Sequence, residues 1–382
     1  MIQLIAMRNL VFICTLLYSV ILSGQERITL LFVGDLMQHQ AQIDAARTPN
    51  GSYDYKDCFS LVEKQIKEAD IAIGNLEVTL GGSPYRGYPA FSAPDEYLYA
   101  IKDAGFDVLL TANNHCLDRG SKGLERTILM LDSLQIAHLG TYKDAKERAT
   151  HHPYILKKNG FCIALLNYTY DTNGLRPTGG NIVNYITKEE ILKDIQIAHT
   201  YRPDAIIACM HWGVEYKQLP NQEQKELANW LIDQGVTHII GSHPHVIQPI
   251  ELREEGTRKH LIVYSLGNFI SNMSAPNTDG GLIVTLTLEK HPLPSPIPPY
   301  FLQRSYAPNY TDHSYQCHLS HCNYSLVWTS RPILSNEKNF KLYPVNYPTD
   351  NIPTTARKKL DAFTQNSRNL LEKYNIGVSE KR

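Results

Sequence analysis

Short apolar runs alternate with amphipathic stretches over most of the chain. Runs rich in Val, Ile and Leu predict buried β-strands at residues 28–34, 70–76, 107–112, 161–168, 204–210, 237–242, 260–266 and 281–288. Between them, apolar residues spaced three and four apart predict helices at residues 57–69, 95–105, 122–134, 188–199 and 222–235. Continuous apolar strands separated by helices indicate an α/β fold in which helices cover both faces of the sheet.

The pattern changes near residue 290. Five prolines fall within "KHPLPSPIPPY", residues 290–300, where they are incompatible with regular strand pairing. Beyond this segment, residues 324–334 and 339–347 predict further strands, and residues 355–375 predict a terminal helix. We therefore expect one main domain over residues 25–289 and a C-terminal extension over residues 290–382.

The N-terminal 24 residues resemble a secretory signal. Arg8 precedes an apolar stretch from Leu10 to Leu22, and the small residues Ser23 and Gly24 follow it. This stretch is short for a membrane span, which needs roughly 20 apolar residues. We expect export with cleavage near Gly24, to the periplasm or the cell surface. The alternative is an uncleaved membrane anchor.

Composition and charge narrow the possible partners. With 43% hydrophobic and 20% charged residues, the 382-residue chain has the composition of a globular protein. Its 37 basic and 38 acidic side chains nearly cancel, which argues against nucleic acid and against an anionic membrane surface as partners. Cysteines are too sparse for a disulfide scaffold. For Cys317 and Cys322, a local disulfide or free thiols are favoured over a metal site, because their spacing matches no recognised zinc motif.

Polar side chains able to bind metal ions stand where six of the predicted strands end. They are Asp35, Asn75 with Glu77, Asn113 with Asn114 and His115, His211 with Glu215, His243 with His245, and Asn268. Ligands of α/β sheets bind at the carboxyl ends of the strands. A single Asp or Asn after a strand is usually a turn or helix-cap residue. Turn formation, however, gives no reason for four histidines to follow strands.

The mixture of carboxylate, amide and imidazole groups favours a transition metal. Oxygen and nitrogen ligands together suit zinc, manganese or iron better than calcium or magnesium. Two cations bridged by one carboxylate lower the pKa of a shared water and neutralise charge on the attacked group. A bridging role would explain why Glu77 lies among mostly neutral candidate ligands.

The ordered motifs "GD", "GNLE", "ANNH", "HWGVEY", "GSHPHV" and "SLGNF" resemble those of the CapA family of poly-γ-glutamate capsule biosynthesis proteins. That family is a branch of the calcineurin-like metallophosphatase superfamily, and the resemblance covers roughly residues 28–285. It implies a four-layered α/β sandwich of two mixed sheets flanked by helices. It also implies a centre of two divalent transition-metal ions (Mn, Zn or Fe) at the rim of the sheets.

The resemblance also implies a role for each motif residue. One metal would be bound by Asp35, Glu77 and His245, and the other by Glu77, Asn114, His211 and His243. His115 matches the general acid of the superfamily, and Asp118 would orient it. Glu215 and Asn268 would face the substrate from the rim. His243 and His245 would reach neighbouring metals because alternate residues of an extended segment point to the same side.

One position departs from the superfamily pattern. The superfamily pattern begins with Asp, one intervening residue and a His ligand, whereas here Asp35 is followed by Leu36 and Met37. The first metal therefore loses a nitrogen ligand, and His39 has no established place in the pattern. Phosphatase activity does not follow from the fold alone.

Three functions compete. The first is an exported metal-dependent hydrolase or transferase that acts on an amide or phosphoester of an anionic cell-surface polymer or its precursor, alongside membrane-bound biosynthesis partners. The second is a non-catalytic component that binds the polymer within an export assembly, with a degenerate metal site. A plain phosphodiesterase is least favoured, because Met37 replaces a ligand.

Overall fold

The computed structural model describes residues 26–292 and 315–381, except for positions 257, 349 and 351. The predicted signal sequence and the Pro-rich segment beyond residue 292 lie outside the described residues. The strands, in chain order, are β1 (Arg27–Leu36), β2 (Ile71–Leu76), β3 (Val108–Leu110), β4 (Ala137–Leu139), β5 (Thr141–Tyr142), β6 (Tyr154–Lys158), β7 (Phe161–Thr169), β8 (Ile182–Val183), β9 (Ala205–His211), β10 (His238–Ser242), β11 (Ile250–Glu255), β12 (Arg258–Val263), β13 (Asn268–Ile270), β14 (Gly280–Pro292), β15 (Tyr315–Ser330), β16 (Lys341–Pro344) and β17 (Ser379–Glu380).

Helices connect most of these strands. They are α1 (Gln40–Ala46), α2 (Glu63–Lys67), α3 (Asp95–Asp103), α4 (Gly120–Ser133), α5 (Ala145–His151), α6 (Lys188–Thr200), α7 (Gln222–Asp233) and α8 (Thr354–Tyr374), together with a 3₁₀ turn at Lys56–Cys58. The single helix predicted over residues 57–69 is wrong, because the structure divides it into this 3₁₀ turn and the short α2. Within the described ranges, no helix is both long and apolar enough to cross a bilayer.

Two mixed sheets carry the fold. The first has the order β16, β15, β14, β1, β2, β3, β4, with β13 paired to β1 and β17 paired to β15. Within it, β1 to β4 run parallel, whereas β14 is antiparallel to β1. The second sheet has the order β11, β12, β10, β9, β7, β6, and its four central strands are parallel.

Alternating side chains of the central strands bury both faces of each sheet. In β1, Leu30 and Phe32 enter a core shared with Leu165 and Ile207 of the second sheet. The intervening Leu31 packs with the helices on the outer side of the first sheet. A third core joins the outer side of the second sheet to α6 and α7. Helices, two sheets and helices thus form four layers, which confirms the predicted fold class.

The chain beyond residue 290 continues the first sheet. β15 pairs with β14 along its length and β16 pairs with β15, while α8 packs its apolar face against the inter-sheet core. The boundary proposed at residue 290 therefore separates strands that share a sheet. Cys317 and Cys322 are free thiols, both on β15 and five positions apart. Five residues of extended strand span roughly 16 Å, too far for a disulfide.

Candidate metal centre

The six predicted metal ligands meet at the carboxyl ends of the parallel strands. β1 and β2 bring in Asp35 and Glu77, and the loop after β3 brings in Asn114. The second sheet contributes His211 as the last residue of β9, and His243 and His245 after β10. These side chains are Asp35, Glu77, Asn114, His211, His243 and His245, and each belongs to a residue at most 2% exposed.

Ligand atoms of these residues form two overlapping groups. Glu77, His243 and His245 offer atoms within 4.8 Å of one another, as do Asp35, Glu77 and His211. The carboxylate of Glu77 belongs to both groups, which is the arrangement required of a bridging ligand. The two groups do not contain the histidines that the prediction assigns to each metal. The prediction places His245 with Asp35, and His211 with His243. His245 Nδ1 nevertheless lies 3.2 Å from Asp35 Oδ2.

A close approach of two glycines brings Asp35 to its place. A Cβ atom on Gly34 would lie 1.9 Å from the carbonyl oxygen of Gly267, so no larger residue fits there. This contact lets the backbone of Asp35 donate to Gly267 O at 3.1 Å. It also aligns Asp35 with Asn268 in the parallel pairing of β1 and β13. The glycines of "GD" and "SLGN" are therefore structural requirements of the site.

His243 and His245 reach the centre through a turn, so the predicted extended segment is wrong. β10 ends at Ser242, and φ is +99° at His243 and +59° at His245. Non-glycine residues adopt such left-handed conformations at a cost of about 1–3 kcal/mol, and they cluster at functional sites. The two rings still lie in one cluster, with centroids 5.9 Å apart.

Three buried ligand atoms have no hydrogen-bond partner. They are Asp35 Oδ2, Glu77 Oε1 and His243 Nδ1. Buried polar atoms without partners are rare in native proteins and typically indicate a bound water, an ion or a catalytic role. Because these atoms belong to the residues that form the two ligand groups, the donor set fits a divalent cation.

Burial favours the uncharged forms of Glu77, His211 and His243 in the metal-free site. Desolvation, followed by the charge of Asp35, raises the pKa of Glu77 well above its usual range. Desolvation and the neighbouring His245 lower the pKa of His243 to about 3. Desolvation also lowers the pKa of His211 well below its usual value. Neutral imidazoles are metal ligands, and a bound cation would compensate the two clustered carboxylates.

Asn268 lies behind His245 and not at the substrate-facing rim where the sequence placed it. The residue is fully buried, and it begins the separate strand β13 after β12 has ended at Val263. Its Nδ2 donates to the carbonyl of Thr278 at 2.8 Å, so its Oδ1 accepts from His245 Nδ1 at 3.0 Å. Because Nδ1 carries the proton of this bond, Nε2 of His245 has a free lone pair. Nε2 lies 3.8 Å from Glu77 Oε1. Desolvation lowers the pKa of His245, but the neighbouring Asp35 carboxylate and the bond to Asn268 raise it overall.

Asn75 is a site residue that the sequence analysis left without a role. Its Nδ2 donates to Asp35 Oδ1 at 2.7 Å and lies 3.4 Å from both Glu77 Oε2 and His211 Nδ1. The spacing of Asn75 and Glu77 could have revealed it, because residues two apart on a strand share a face.

His115 and Asp118 form the contact that the sequence predicts. Asp118 Oδ2 lies 2.8 Å from His115 Nδ1 and also accepts from the backbone of Phe91 at 2.9 Å. The ring of Phe91 packs edge-on against His115, with centroids 4.6 Å apart. Asn113 anchors this loop, since its Nδ2 donates to the Leu76 carbonyl at 2.8 Å and its Oδ1 accepts from the His115 backbone at 3.1 Å.

Met37 occupies an apolar environment. It is buried in the core between the first sheet and its helices, and its backbone pairs with Ile270. His39 belongs to neither ligand group, and its Nδ1 contacts Gln42 Oε1 and the backbone N–H of Asn272, each at 3.2 Å. Desolvation lowers the pKa of His39 to about 4, and its ring packs on Phe91.

Three exposed tyrosines lie beside the histidines of the centre. Tyr170 packs 4.5 Å from His243, Tyr216 lies 6.3 Å from His245 and Tyr88 lies 6.4 Å from His115, all measured between ring centroids. Glu215 is half-buried beside them, and its charge adds to desolvation in raising the pKa of Tyr170 and of Tyr216 to about 12 each. The rim position predicted for Glu215 agrees with this placement.

The chain is similar in sequence to two capsule biosynthesis proteins. The chain is 28% identical over 275 residues to the capsule biosynthesis protein CapA of Bacillus anthracis, covering 68% of this chain and 63% of that protein. It is 29% identical over 282 residues to the PGA biosynthesis protein CapA of Bacillus subtilis, covering 68% and 67%. The chain thus spans about two thirds of the length of these relatives.

Solved structures with a related arrangement share little sequence with the chain. The calcineurin-like phosphoesterase YfkN of Bacillus subtilis is 13% identical with a TM-score of 0.42, covering 92% of this chain and 99% of that one. Haemophilus influenzae NAD nucleotidase is 12% identical with a TM-score of 0.45, covering 91% and 68%. The model of the family described as bacterial capsule synthesis protein PGA_cap matches residues 29–273. That match spans more than half of the chain, so the protein belongs to the PGA_cap family of bacterial capsule synthesis proteins, as its resemblance to CapA predicts.

Proposed function

We propose that the protein is a metal-dependent hydrolase or transferase that acts on an anionic cell-surface polymer, or on its precursor, at the cell envelope. Family membership supports the link to a capsule polymer. The observation that carries the proposed chemistry is the set of buried, unpartnered ligand atoms on Asp35, Glu77 and His243. Export of the chain and association with membrane-bound biosynthesis partners are part of this proposal.

The residues that would hold metal are those of the two overlapping groups. Two divalent ions, when bound, would lower the pKa of a shared water and neutralise charge on the attacked group. Glu77 would bridge them, since its carboxylate contributes to both groups. Asn114 would add an amide oxygen, because its Oδ1 lies 2.9 Å from His211 Nε2.

His115 would protonate the leaving group. Asp118 accepts from Nδ1, which leaves Nε2 as the nitrogen that can release a proton. The Asp118 carboxylate fixes the orientation of the ring, as an acid that transfers its proton in the transition state requires. The tyrosine rim and Glu215 would contact the parts of the substrate that do not react.

A second candidate is a polymer-binding component without catalytic activity. The observation that favours it is the apolar burial of Met37 at the position where the superfamily places a histidine ligand. A centre that lacks this ligand could bind metal weakly and serve only to hold the polymer.

A comparison of His115→Ala with His151→Ala separates the two candidates. His151 is an exposed histidine at the end of α5 and serves as the matched control. For the enzyme, His115→Ala should lower the turnover of purified poly-γ-glutamate by about 10²–10⁴-fold while metal content is unchanged. The binding component predicts equal polymer production by both variants in cells. Equal turnover by the two variants contradicts the proposed acid.

A further inference from the structure

Asn114 and His211 come from different sheets. The distance between their side chains is therefore not fixed by the main-chain hydrogen bonds within either sheet. Asn114 follows β3 of the first sheet, whereas His211 ends β9 of the second. Their side chains nevertheless approach to 2.9 Å. A site built from two sheets needs a contact between them close to the ligands, because an error of about 1 Å in the placement of reacting groups can reduce activity about 100-fold.

The side chain of Asn167 provides such a contact. Asn167 lies in β7, beside Cys209 of β9, and is 2% exposed. Its Oδ1 accepts from the backbone N–H of Ala112 at 2.8 Å. Its Nδ2 donates to the carbonyl of Cys209 at 3.1 Å. One amide thus bonds the backbone that leads to a candidate ligand in each sheet.

The two bonds are placed symmetrically with respect to the ligands. Ala112 lies two residues before Asn114, and Cys209 lies two residues before His211. A backbone N–H can only donate and a carbonyl can only accept, so the amide of Asn167 has one possible orientation. An aspartate here would place an oxygen against the Cys209 carbonyl, and an aliphatic residue would leave the Ala112 N–H without the bond from Asn167.

The surroundings of Asn167 are shaped for this bond. A Cβ atom on Gly140 would lie 2.2 Å from Asn167 Oδ1 and 2.5 Å from Ala112 N, at a φ of +115° that favours glycine. Asn184 bonds to the backbone of both Asn167 and Gly140. Its Nδ2 donates to the Asn167 carbonyl at 3.2 Å, and its backbone N–H donates to Gly140 O at 2.9 Å.

We propose that Asn167 is a positioning residue that sets the separation of Asn114 and His211, and through it the metal affinity of the centre. This inference rests on the proposed function, since it requires that the two side chains bind a metal. Asn167 itself touches neither ligand atom; it acts on the backbone two residues before each.

Cobalt(II) titration of four proteins tests this role. Asn167→Asp keeps the size and the bond to Ala112, and Gly140→Ala displaces the amide without changing it. Asn339→Ala is the matched control, because Asn339 is also buried and bonds two backbone groups, those of Asp54 and Phe340. We expect Asn167→Asp and Gly140→Ala to weaken cobalt binding about tenfold and to change the visible absorption spectrum of the bound ion. Asn339→Ala should retain the wild-type affinity and spectrum.

The outcomes separate this inference from the proposed function. A wild-type protein that binds no cobalt contradicts the metal centre itself. Wild-type affinity and an unchanged spectrum in both Asn167→Asp and Gly140→Ala overturn the positioning role alone. Circular dichroism establishes that each variant is folded, and if one of the pair fails to fold, the other decides the test.

Discussion

Two buried clusters of acids and histidines in this protein differ in how their carboxylate oxygens are hydrogen-bonded. In the first, Asp194 Oδ2 accepts from Arg148, His152 and Tyr168 at 2.7, 3.1 and 2.8 Å. In the second, Asp35 Oδ2 and Glu77 Oε1 have no hydrogen-bond partner. The first cluster carries its own cation, the Arg148 guanidinium. The second combines two carboxylates with His211 and His243, whose pKa values are lowered.

The pKa directions express the same difference. Desolvation raises the pKa of Asp194, but the hydrogen bond and charge of His152 and the charge of Arg148 lower it below its usual value. Desolvation and the charge of Asp35 raise the pKa of Glu77. A buried carboxylate is stable only where positive charge compensates it. The Asp194 cluster is therefore compensated within the protein, whereas the Glu77 cluster is one that a bound cation would compensate.

Breaking the Asp194 cluster should cause the largest loss in the free energy of unfolding. Asp194→Asn leaves Arg148 without its buried partner, so we expect the free energy of unfolding to fall by about 3 kcal/mol whether or not metal is present. Denaturant unfolding measures the change. Glu190→Gln is the matched control on the same helix, because the exposed pair of Glu190 with Lys193 is worth less than about 1 kcal/mol. A loss of equal size in both variants would show that burial of the Asp194 cluster has no special importance.

Adding metal should complete the second cluster. Manganese at a hundredfold excess over its dissociation constant should raise the free energy of unfolding of the wild-type protein by about 2.7 kcal/mol. Thermal unfolding with manganese or with a chelator measures this difference. The melting temperature of Asp194→Asn should rise with manganese as much as that of the wild type does. If manganese leaves the melting temperature of the wild type unchanged, the Glu77 cluster does not bind it.

Neutralising Glu77 should reverse the usual sign of a core substitution. Glu77→Gln removes one of two clustered carboxylates, so the metal-free protein should gain about 1 kcal/mol of stability at neutral or higher pH. The same variant should lose the stabilisation by manganese. Denaturant unfolding of the chelator-treated proteins gives the first value, and a destabilised Glu77→Gln would show that the carboxylate is already compensated.

Acid should weaken the Asp194 cluster with a defined sign. The lowered pKa of Asp194 means that its contribution is complete above the pKa of the unfolded chain, near 3.9, and is lost as pH falls through the folded value. Desolvation also lowers the pKa of His152, so acid begins to reduce stability below about pH 6.5. The stability difference between wild type and Asp194→Asn should therefore shrink towards pH 3. A constant difference over this range would contradict the assignment.

The sequence could predict that the candidate side chains lie close together because they follow the ends of strands. Asp35, Glu77 and His211 lie at or next to the carboxyl ends of parallel strands, and parallel strands in one sheet place those ends on one rim. The apolar runs that define these strands are visible in a single sequence. Residue types and strand positions therefore bring the candidate side chains to one rim, and the resemblance to the CapA family selects six of them as predicted ligands.

Contacts that depend on tertiary packing could not be predicted in the same way. The left-handed conformations of His243 and His245 follow no pattern in "GSHPH", since neither residue is a glycine. Asn268 follows an apolar run, yet it begins a new strand beside β1 because Gly34 and Gly267 pack closely. Asn167 shows its importance only through a bond between the sheets. Distances between separate strands decide each of these cases.

Metal content of the purified protein tests the central claim most directly. We would measure it by inductively coupled plasma mass spectrometry in the wild type and in Glu77→Gln, after incubation with manganese, zinc or iron and removal of excess ions. The account predicts about two divalent ions per wild-type chain and a marked loss in Glu77→Gln. A folded wild-type protein that retains none of these metals would contradict it.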